Sequence, residues 1–290
     1  MGNRVAGKVA LVTGAARGQG RSHAVRLAEE GADIIALDIC QDIGEFPYPM
    51  GSARELAETV RMVESLDRRI VALEADVRDF AAVRRVVDAG VAEFGRLDVV
   101  AANAGLCNLG YMTWEATEAA FDAEVDVLLK GVWNTFRAAV PPMIEAGNGG
   151  SIIATSSLLG LKAMPGVSIY SAAKAGVVAM SDSLANEVAQ YGIRVNTIHP
   201  TNVSTDLIWR NETLQAMFTP DLDRPPTREE LAAPASAMNI LCDPRSEWTG
   251  HPIPWVEARD ISDGVLFLAS DEARAITGQK LSIDLGARIK

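Results

Sequence analysis

The chain has 290 residues, 48% of them hydrophobic, and a formal net charge of −11. That is enough apolar material for one large α/β domain or two small ones. The acidic balance argues against a nucleic-acid or anionic-membrane partner, which needs clustered Lys and Arg, and no apolar run reaches the roughly 18–20 residues that span a bilayer.

The start, MGNRVAGKVALVTG, has no signal-peptide core followed by a cleavage site, and Ala6 stands where a myristoylation signal has Ser or Thr. A cytoplasmic protein is expected. Strand-length runs then recur along the chain: KVALVTG (8–14), ADIIALD (32–38), RIVALEADV (69–77), LDVVAANAG (97–105), GSIIATSS (150–157), IRVNTIHP (193–200) and KLSIDLG (280–286). They are rich in Val, Ile and Leu with little alternation, as strands buried on both faces are. Between them lie segments with helical spacing, such as RSHAVRLAEEG, AAVRRVVDAGVAEFG and SLANEVAQYG, several closing on Gly. This alternation predicts a doubly wound parallel seven-stranded sheet of the Rossmann type, in a single domain over 1–290. Two stretches break the rhythm: an insertion over 40–52 after the second strand, and a Pro-rich lid over about 201–256. Both are expected over the crevice at the carboxyl edge of the sheet, where ligands bind.

The first strand runs into TGAARGQG, with Gly14, Gly18 and Gly20, Arg17 and Gln19 between them, and a helix behind. Glycines there let the backbone approach a pyrophosphate, and the helix N-terminus supplies N–H groups and partial positive charge. Asp38 ends the second strand, 18 residues past Gly20. A carboxylate at that place accepts from adenosine ribose hydroxyls and repels a 2′-phosphate, whereas Arg17 would attract one. Asp38 ranks first, and the expected cofactor is NAD. Asp76 and Val77, after the third strand, bracket the adenine or form a helix-capping turn. Asn103, Ala104 and Gly105 follow the fourth strand and suit close passage beside the cofactor. The cysteines Cys40, Cys107 and Cys242 and the histidines His23, His199 and His251 are too scattered for a disulfide framework, and no metal site is expected.

In YSAAKAG (170–176), Tyr170 and Lys174 stand at i and i+4, on one face of a helix. A free phenol has a pKa near ~10, while alcohol oxidation at neutral pH needs a base closer to ~7, a shift of roughly 4 kcal/mol. Positive charge from Lys174 and an oxidised nicotinamide can supply it.

Taken in this order, TGAARGQG, Asp38, DVRD, NAG, Ser157 and YSAAK resemble the short-chain dehydrogenase/reductase family over essentially the whole chain. GAARGQGRSHAVRLAEEGADIIALDIC, the extended loop, HPTNVST and the tail IPWVEARDISDGVLFLASDEARAITG are similar to its mycofactocin-coupled branch, which includes carveol-type alcohol dehydrogenases. The resemblance implies a catalytic set of Ser157, Tyr170 and Lys174. In it Ser157 binds the substrate oxygen, Tyr170 is the base, and Lys174 holds the nicotinamide ribose. In HPTNVST (199–205), with Pro200, Val203 and Thr205, the backbone around Val203 meets the carboxamide, while Thr205 contacts the cofactor or starts the lid helix. The likeness further implies a nicotinamide that exchanges poorly and passes its electrons to the small redox carrier mycofactocin. It also implies a homotetramer built on helices around 114–147 and 168–191.

One position departs from the family pattern. DVLLKGVWN (126–134) has Leu128 where relatives have an Asn that positions a water leading from the lysine to solvent. Asn134 is about 240° further round a helix, so it is no replacement. Three readings stand: a relay on backbone carbonyls and water, a different or slower reaction, or an NAD-binding regulator. An ordinary dehydrogenase or ketoreductase with exchangeable NAD is a further alternative. Leu207, Ile208, Trp209, Leu214, Met217 and Phe218 have helical spacing and either pack as core or wall a pocket for a hydrophobic, cyclic alcohol or ketone. Trp248 and Trp255 are candidates for the same wall.

Overall fold

Strand β1 (Val9–Thr13) is buried at every residue, and its alternate side chains enter two different cores. Val9 and Leu11 pack on one side of the sheet, Ala10 and Val12 on the other. That two-sided burial is why the apolar runs show no alternation. The computed structural model describes residues 2–245, 247, 248 and 250–290; Met1 and two residues of the expected lid, Ser246 and Thr249, lie outside the described residues.

After β1 come α1 (Gly18–Glu29), β2 (Asp33–Asp38), α2 (Ala53–Glu64), β3 (Ile70–Glu74), α3 (Phe80–Phe94) and β4 (Val99–Ala102). The second half runs α4 (Glu118–Val125), a π turn (Asp126–Lys130), α5 (Gly131–Ala146), β5 (Gly150–Thr155), α6 (Ser168–Val188) and β6 (Ile193–Pro200). It ends with β7 (Val203–Ser204), α7 (Asp206–Trp209), α8 (Glu212–Phe218), α9 (Arg228–Ala237), β8 (Val256–Glu257), α10 (Ala258–Ala269) and β9 (Lys280–Ile283).

The main sheet is parallel with order β3-β2-β1-β4-β5-β6-β9, so all seven expected strands are present. The chain reverses direction of travel between β1 and β4, and the carboxyl ends of those strands open the crevice where such sheets bind ligands. Burial on both faces holds for the five inner strands. It fails for β3 and β9, which carry exposed residues because they are the two edges.

Local signals place the helices. Ser52 and Glu55 form a reciprocal capping box at α2, and Asp79 caps α3 by accepting from the N–H groups of Ala81 and Ala82. Gly95 and Gly147 end α3 and α5 in the left-handed region, at φ 76° and 66°.

The insertion has no regular secondary structure but is anchored. Ile43, Phe46 and Tyr48 are buried on the core that contains Val77 and Leu106, and Asp42 accepts from the N–H of Met50 at 2.8 Å. The lid is more ordered than its prolines suggest: it holds three helices, and β7 pairs in parallel with β8. Among the described residues no helix is long and apolar enough to cross a membrane.

Candidate active site

The turn after β1 is tight. Gly14 has φ 71°, and a Cβ on Gly20 would fall 1.9 Å from the Gly14 carbonyl oxygen, so α1 starts directly against the turn and only Gly fits there. Thr13 Oγ1 accepts from the N–H groups of Asn103 and Ala104, both at 2.9 Å, and Asn103 Nδ2 returns a bond to Thr13 O at 3.1 Å. These bonds lock the loops after β1 and β4 together. From the other side, Thr59 Oγ1 donates to Ala15 O at 2.8 Å, and Arg21 ties Ala16 O to Glu55 O.

Asp38 ends β2, where its carboxylate accepts from Ala16 N at 2.9 Å and Cys40 N at 3.3 Å. Burial pushes its pKa up, while those N–H groups and the Arg17 charge hold it down. Arg17 itself is engaged elsewhere. Its Nη1 pairs with Asp206 at 3.4 Å, and its Nη2 donates to Pro49 O. One residue of the glycine loop thus touches both the insertion and the lid.

Asp76 accepts from Arg78 N at 2.8 Å and from its guanidinium, a turn of the kind expected before α3. Asn134 holds that turn in place: buried on α5, it donates to Val77 O at 2.8 Å and Arg78 O at 3.1 Å.

Ser157 follows β5 in extended backbone, and its Oγ accepts from Leu159 N at 3.1 Å. On α6, Lys174 Nζ lies 5.8 Å from the Tyr170 ring centroid and donates to Thr155 O at 2.8 Å. Burial pushes the Tyr170 hydroxyl above its ordinary range; Cys107 adds to the push, and a hydrogen bond with Ser157 opposes it. Burial likewise brings the Lys174 ammonium down to about 8. Leu128 is fully buried in the π turn. A Cβ on Gly105 would lie 3.3 Å from Leu128 Cδ2 and 3.7 Å from Lys174 Nζ, so leucine and ammonium converge on one spot.

The expected catalytic and cofactor-binding residues line one cleft of about 490 Å³, whereas Leu128 lies behind its lining. Gly14, Arg17, Gly18, Gln19, Gly20, Asp38, Asp76, Val77, Asn103, Ala104 and Gly105 line one part of it. Ser157, Tyr170, Lys174, Pro200, Val203 and Thr205 line it as well. An apolar part of its wall is made by Leu109, Val167, Ile208, Leu214, Met217 and Phe218. Trp209, Trp248 and Trp255 are not on that wall. They stack edge-to-face in series, with centroids 5.1 and 5.3 Å apart, and pack on Leu231 of α9. In the single turn of α7, Leu207 and Ile208 take the cleft side, which turns Trp209 away toward α9.

Several contributors were not legible as such. Tyr48 lines the cleft from the insertion, and its hydroxyl accepts from Cys107 N at 2.8 Å. Cys107 lines it too, and His199 Nδ1 donates to Ser157 O at 2.8 Å. The apolar and aromatic residues of the insertion, Ile43, Phe46, Tyr48 and Met50, were the available hint that the loop packs inward.

The cradle fits a dinucleotide on its own chemistry. Besides the glycine turn and the strand-end carboxylate, Gln19 Oε1 and Thr201 Oγ1 line the cleft as buried acceptors without a protein partner among the described residues.

Comparisons with known proteins agree with this geometry. A family model described as short chain dehydrogenase matches residues 8–215. The (−)-trans-carveol dehydrogenase of Rhodococcus erythropolis is 45% identical over 287 residues, spanning 99% of either chain. The crystal structure of carveol dehydrogenase from Mycobacterium avium in complex with NAD has a TM-score of 0.93 at 47% identity, covering 99% of this chain and 100% of that one. A short chain dehydrogenase from Mycobacterium paratuberculosis bound to NAD gives 0.86 at 40% identity, with 99% and 100% covered. With its sheet order, glycine turn and Ser157–Tyr170–Lys174 cluster in place, the chain belongs to the short-chain dehydrogenase family.

Proposed function

We propose that the protein is an NAD-dependent alcohol dehydrogenase acting on hydrophobic, cyclic secondary alcohols or the matching ketones. The observation that carries this is the composition of one cleft: a dinucleotide cradle and an apolar chamber that share Ser157, Tyr170 and Lys174. Asp38 at the ribose position, and an Arg17 already bound to protein partners, favour NAD over NADP. NAD, when bound, supplies the hydride acceptor for alcohol oxidation. Ser157 Oγ and the Tyr170 hydroxyl hold the alcohol oxygen, Tyr170 takes its proton, and the Lys174 charge favours the phenolate. The apolar wall keeps water from the reacting carbon.

The reading extends to cofactor retention. Tyr48 and Met50 of the insertion and Leu207 of the lid line the same cleft, and Arg17 joins insertion to lid. Support for a slowly exchanging NAD reoxidised by mycofactocin comes from this closure together with the family likeness. A cytoplasmic homotetramer belongs to the same reading. Leu128 favours a second one, in which the protein binds NAD but turns over slowly.

The test is to denature purified protein and look for released NAD(H), then to assay cyclic and terpenoid alcohols with a dye acceptor and, separately, with added NAD. Retained cofactor with dye-dependent turnover supports the reading; turnover only with added NAD supports free exchange. Bound nucleotide without turnover supports the slow reading. Tyr170→Phe at wild-type rate would remove the base.

A further inference from the structure

The turn carrying Ser157 is tied down at three consecutive residues. Lys174 Nζ donates to Thr155 O at 2.8 Å, and Ser156 Oγ donates to Lys174 O at 2.9 Å. Ser157 O accepts from His199 Nδ1 at 2.8 Å. The first two bonds fix the turn to α6, which carries Tyr170; the third fixes it to the end of β6.

The protonation of the His199 ring follows from its partners. A carbonyl oxygen can only accept, so Nδ1 carries the proton. Nε2 faces Thr197 Oγ1 at 2.8 Å, and in the neutral ring it accepts from that hydroxyl. Thr197 and His199 stand two apart on β6, hence on one face of the strand. The ring is fully buried, and burial lowers its pKa; the bond to Ser157 O opposes that, while the charges of Lys174, Lys280 and Arg288 add to it.

Ser157 Oγ accepts from Leu159 N, and its O–H is directed into the cleft toward the Tyr170 oxygen, the place where a substrate oxygen would join them. The direction of that O–H depends on the backbone of Ser157, whose carbonyl also accepts from Gly160 N at 3.0 Å; Ser156 N donates to Ile198 O of β6 at 2.9 Å, and His199 adds the side-chain bond from β6 to Ser157 itself.

We propose that His199 is the positioning residue for Ser157, its Nδ1–H setting the serine backbone so that the hydroxyl meets the substrate oxygen. The proposal rests on the reading that Ser157 binds that oxygen. A misplacement of about 1 Å at a reacting group can cost on the order of 100-fold in rate. A single lost tether permits less than that, and a loss of roughly 30-fold in kcat is expected for His199→Leu. His199→Asn places an amide N–H where Nδ1–H stood and is expected to regain most of the rate.

The experiment compares His199→Leu, His199→Asn, Ser157→Ala and the double variant Ser157→Ala/His199→Leu, reading kcat, KM for the alcohol, NADH affinity by fluorescence and Tm. The expected result is a fall in kcat for His199→Leu with NADH affinity within about twofold of wild type, rescue by Asn, and a double variant no slower than Ser157→Ala, because the histidine acts through the serine. Additive losses in the double variant, or Leu and Asn equally impaired, would overturn the proposal. A Ser157→Ala variant at full rate removes both the Ser157 reading and the proposal. An impaired Ser157→Ala beside an unimpaired His199→Leu removes the proposal alone. Nitrogen-15 spectra of labelled histidine add a readout independent of turnover: the Nδ1–H tautomer is expected, and an Nε2–H tautomer refutes the assignment.

Discussion

Asp206→Asn removes the carboxylate that pairs with Arg17 of the glycine loop. The carboxylate lies 3.4 Å from Arg17 Nη1, with side-chain exposures of 31% and 16%, and the same carboxylate is 3.4 Å from Arg210 Nε. At an effective dielectric near ~20 the gross attraction at that distance is about 5 kcal/mol. Desolvation of both groups, side-chain ordering and sharing with Arg210 leave a net of about 1 kcal/mol, as for other partly exposed pairs. Asparagine keeps the size of the side chain and removes the charge, so the lid–loop contact should weaken by that net amount. A change of that size corresponds to roughly five- to tenfold faster release of NADH, since ~1.4 kcal/mol is a factor of ten. The assay is stopped-flow loss of NADH fluorescence on mixing loaded protein with excess NAD. Raising salt should speed release from the wild type more than from the variant, because only the wild type has the pair to screen. Identical release rates, or identical salt dependence, would refute the idea that Arg17 and Asp206 hold the cleft shut.

Gly20→Ala forces a Cβ to within 1.9 Å of the Gly14 carbonyl, so α1 must shift against backbone; calorimetry should show NAD affinity down by roughly 100-fold or more, and near-native affinity would refute the cradle. Leu128→Asn should raise the rate of alcohol oxidation several-fold while lowering Tm, as a buried leucine is lost (about 2–5 kcal/mol for Leu→Ala); an unchanged rate would show that the relay is not what limits this protein. His23 is fully buried beside Ser262, with its pKa lowered to about 4 by burial. The unfolded chain binds a proton near 6.5 and the folded chain only near 4, so up to about 3 kcal/mol of stability present above pH 6.5 is lost as pH falls toward 4. Urea titrations of wild type and His23→Asn at pH 7 and 4.5 should differ in slope with pH, and parallel curves would refute the assignment.

The sheet was legible because its inner strands are buried on both faces, which forces continuous runs such as VALVT and DIIALD. The glycine turn was legible for a steric reason: where α1 presses on the β1 turn, no side chain fits. The lid was legible only in part. Helical spacing was visible over α7 and α8, but Pro234 sits inside α9 and breaks the signal there. Trp209 was ambiguous because pattern cannot distinguish the cleft side of a four-residue helix from its outer side, and Trp248 and Trp255 lie in irregular chain where no period assigns a face. The roles of Asn134 and His199 were not legible for another reason. Each acts by hydrogen-bonding backbone distant in sequence, Val77 and Ser157 respectively, and no spacing records such a contact.

Leu128 acquires a meaning through the charge it leaves dry. A base at Tyr170 needs positive charge nearby, since burial has already pushed the phenol upward. Lys174 is the protein's own source of that charge, yet burial has brought its pKa to about 8, so the ammonium is itself lost in mildly alkaline solution. A leucine beside Lys174 keeps water out and lowers the ammonium pKa further, where an asparagine would admit a water and raise it. Restoring a polar group at 128 thus acts twice: it offers the proton a route, and it keeps Lys174 charged at the pH where the phenolate must form. On the proposed mechanism the chain would lack both, and its chemical step should steepen less with alkaline pH than that of the Leu128→Asn variant.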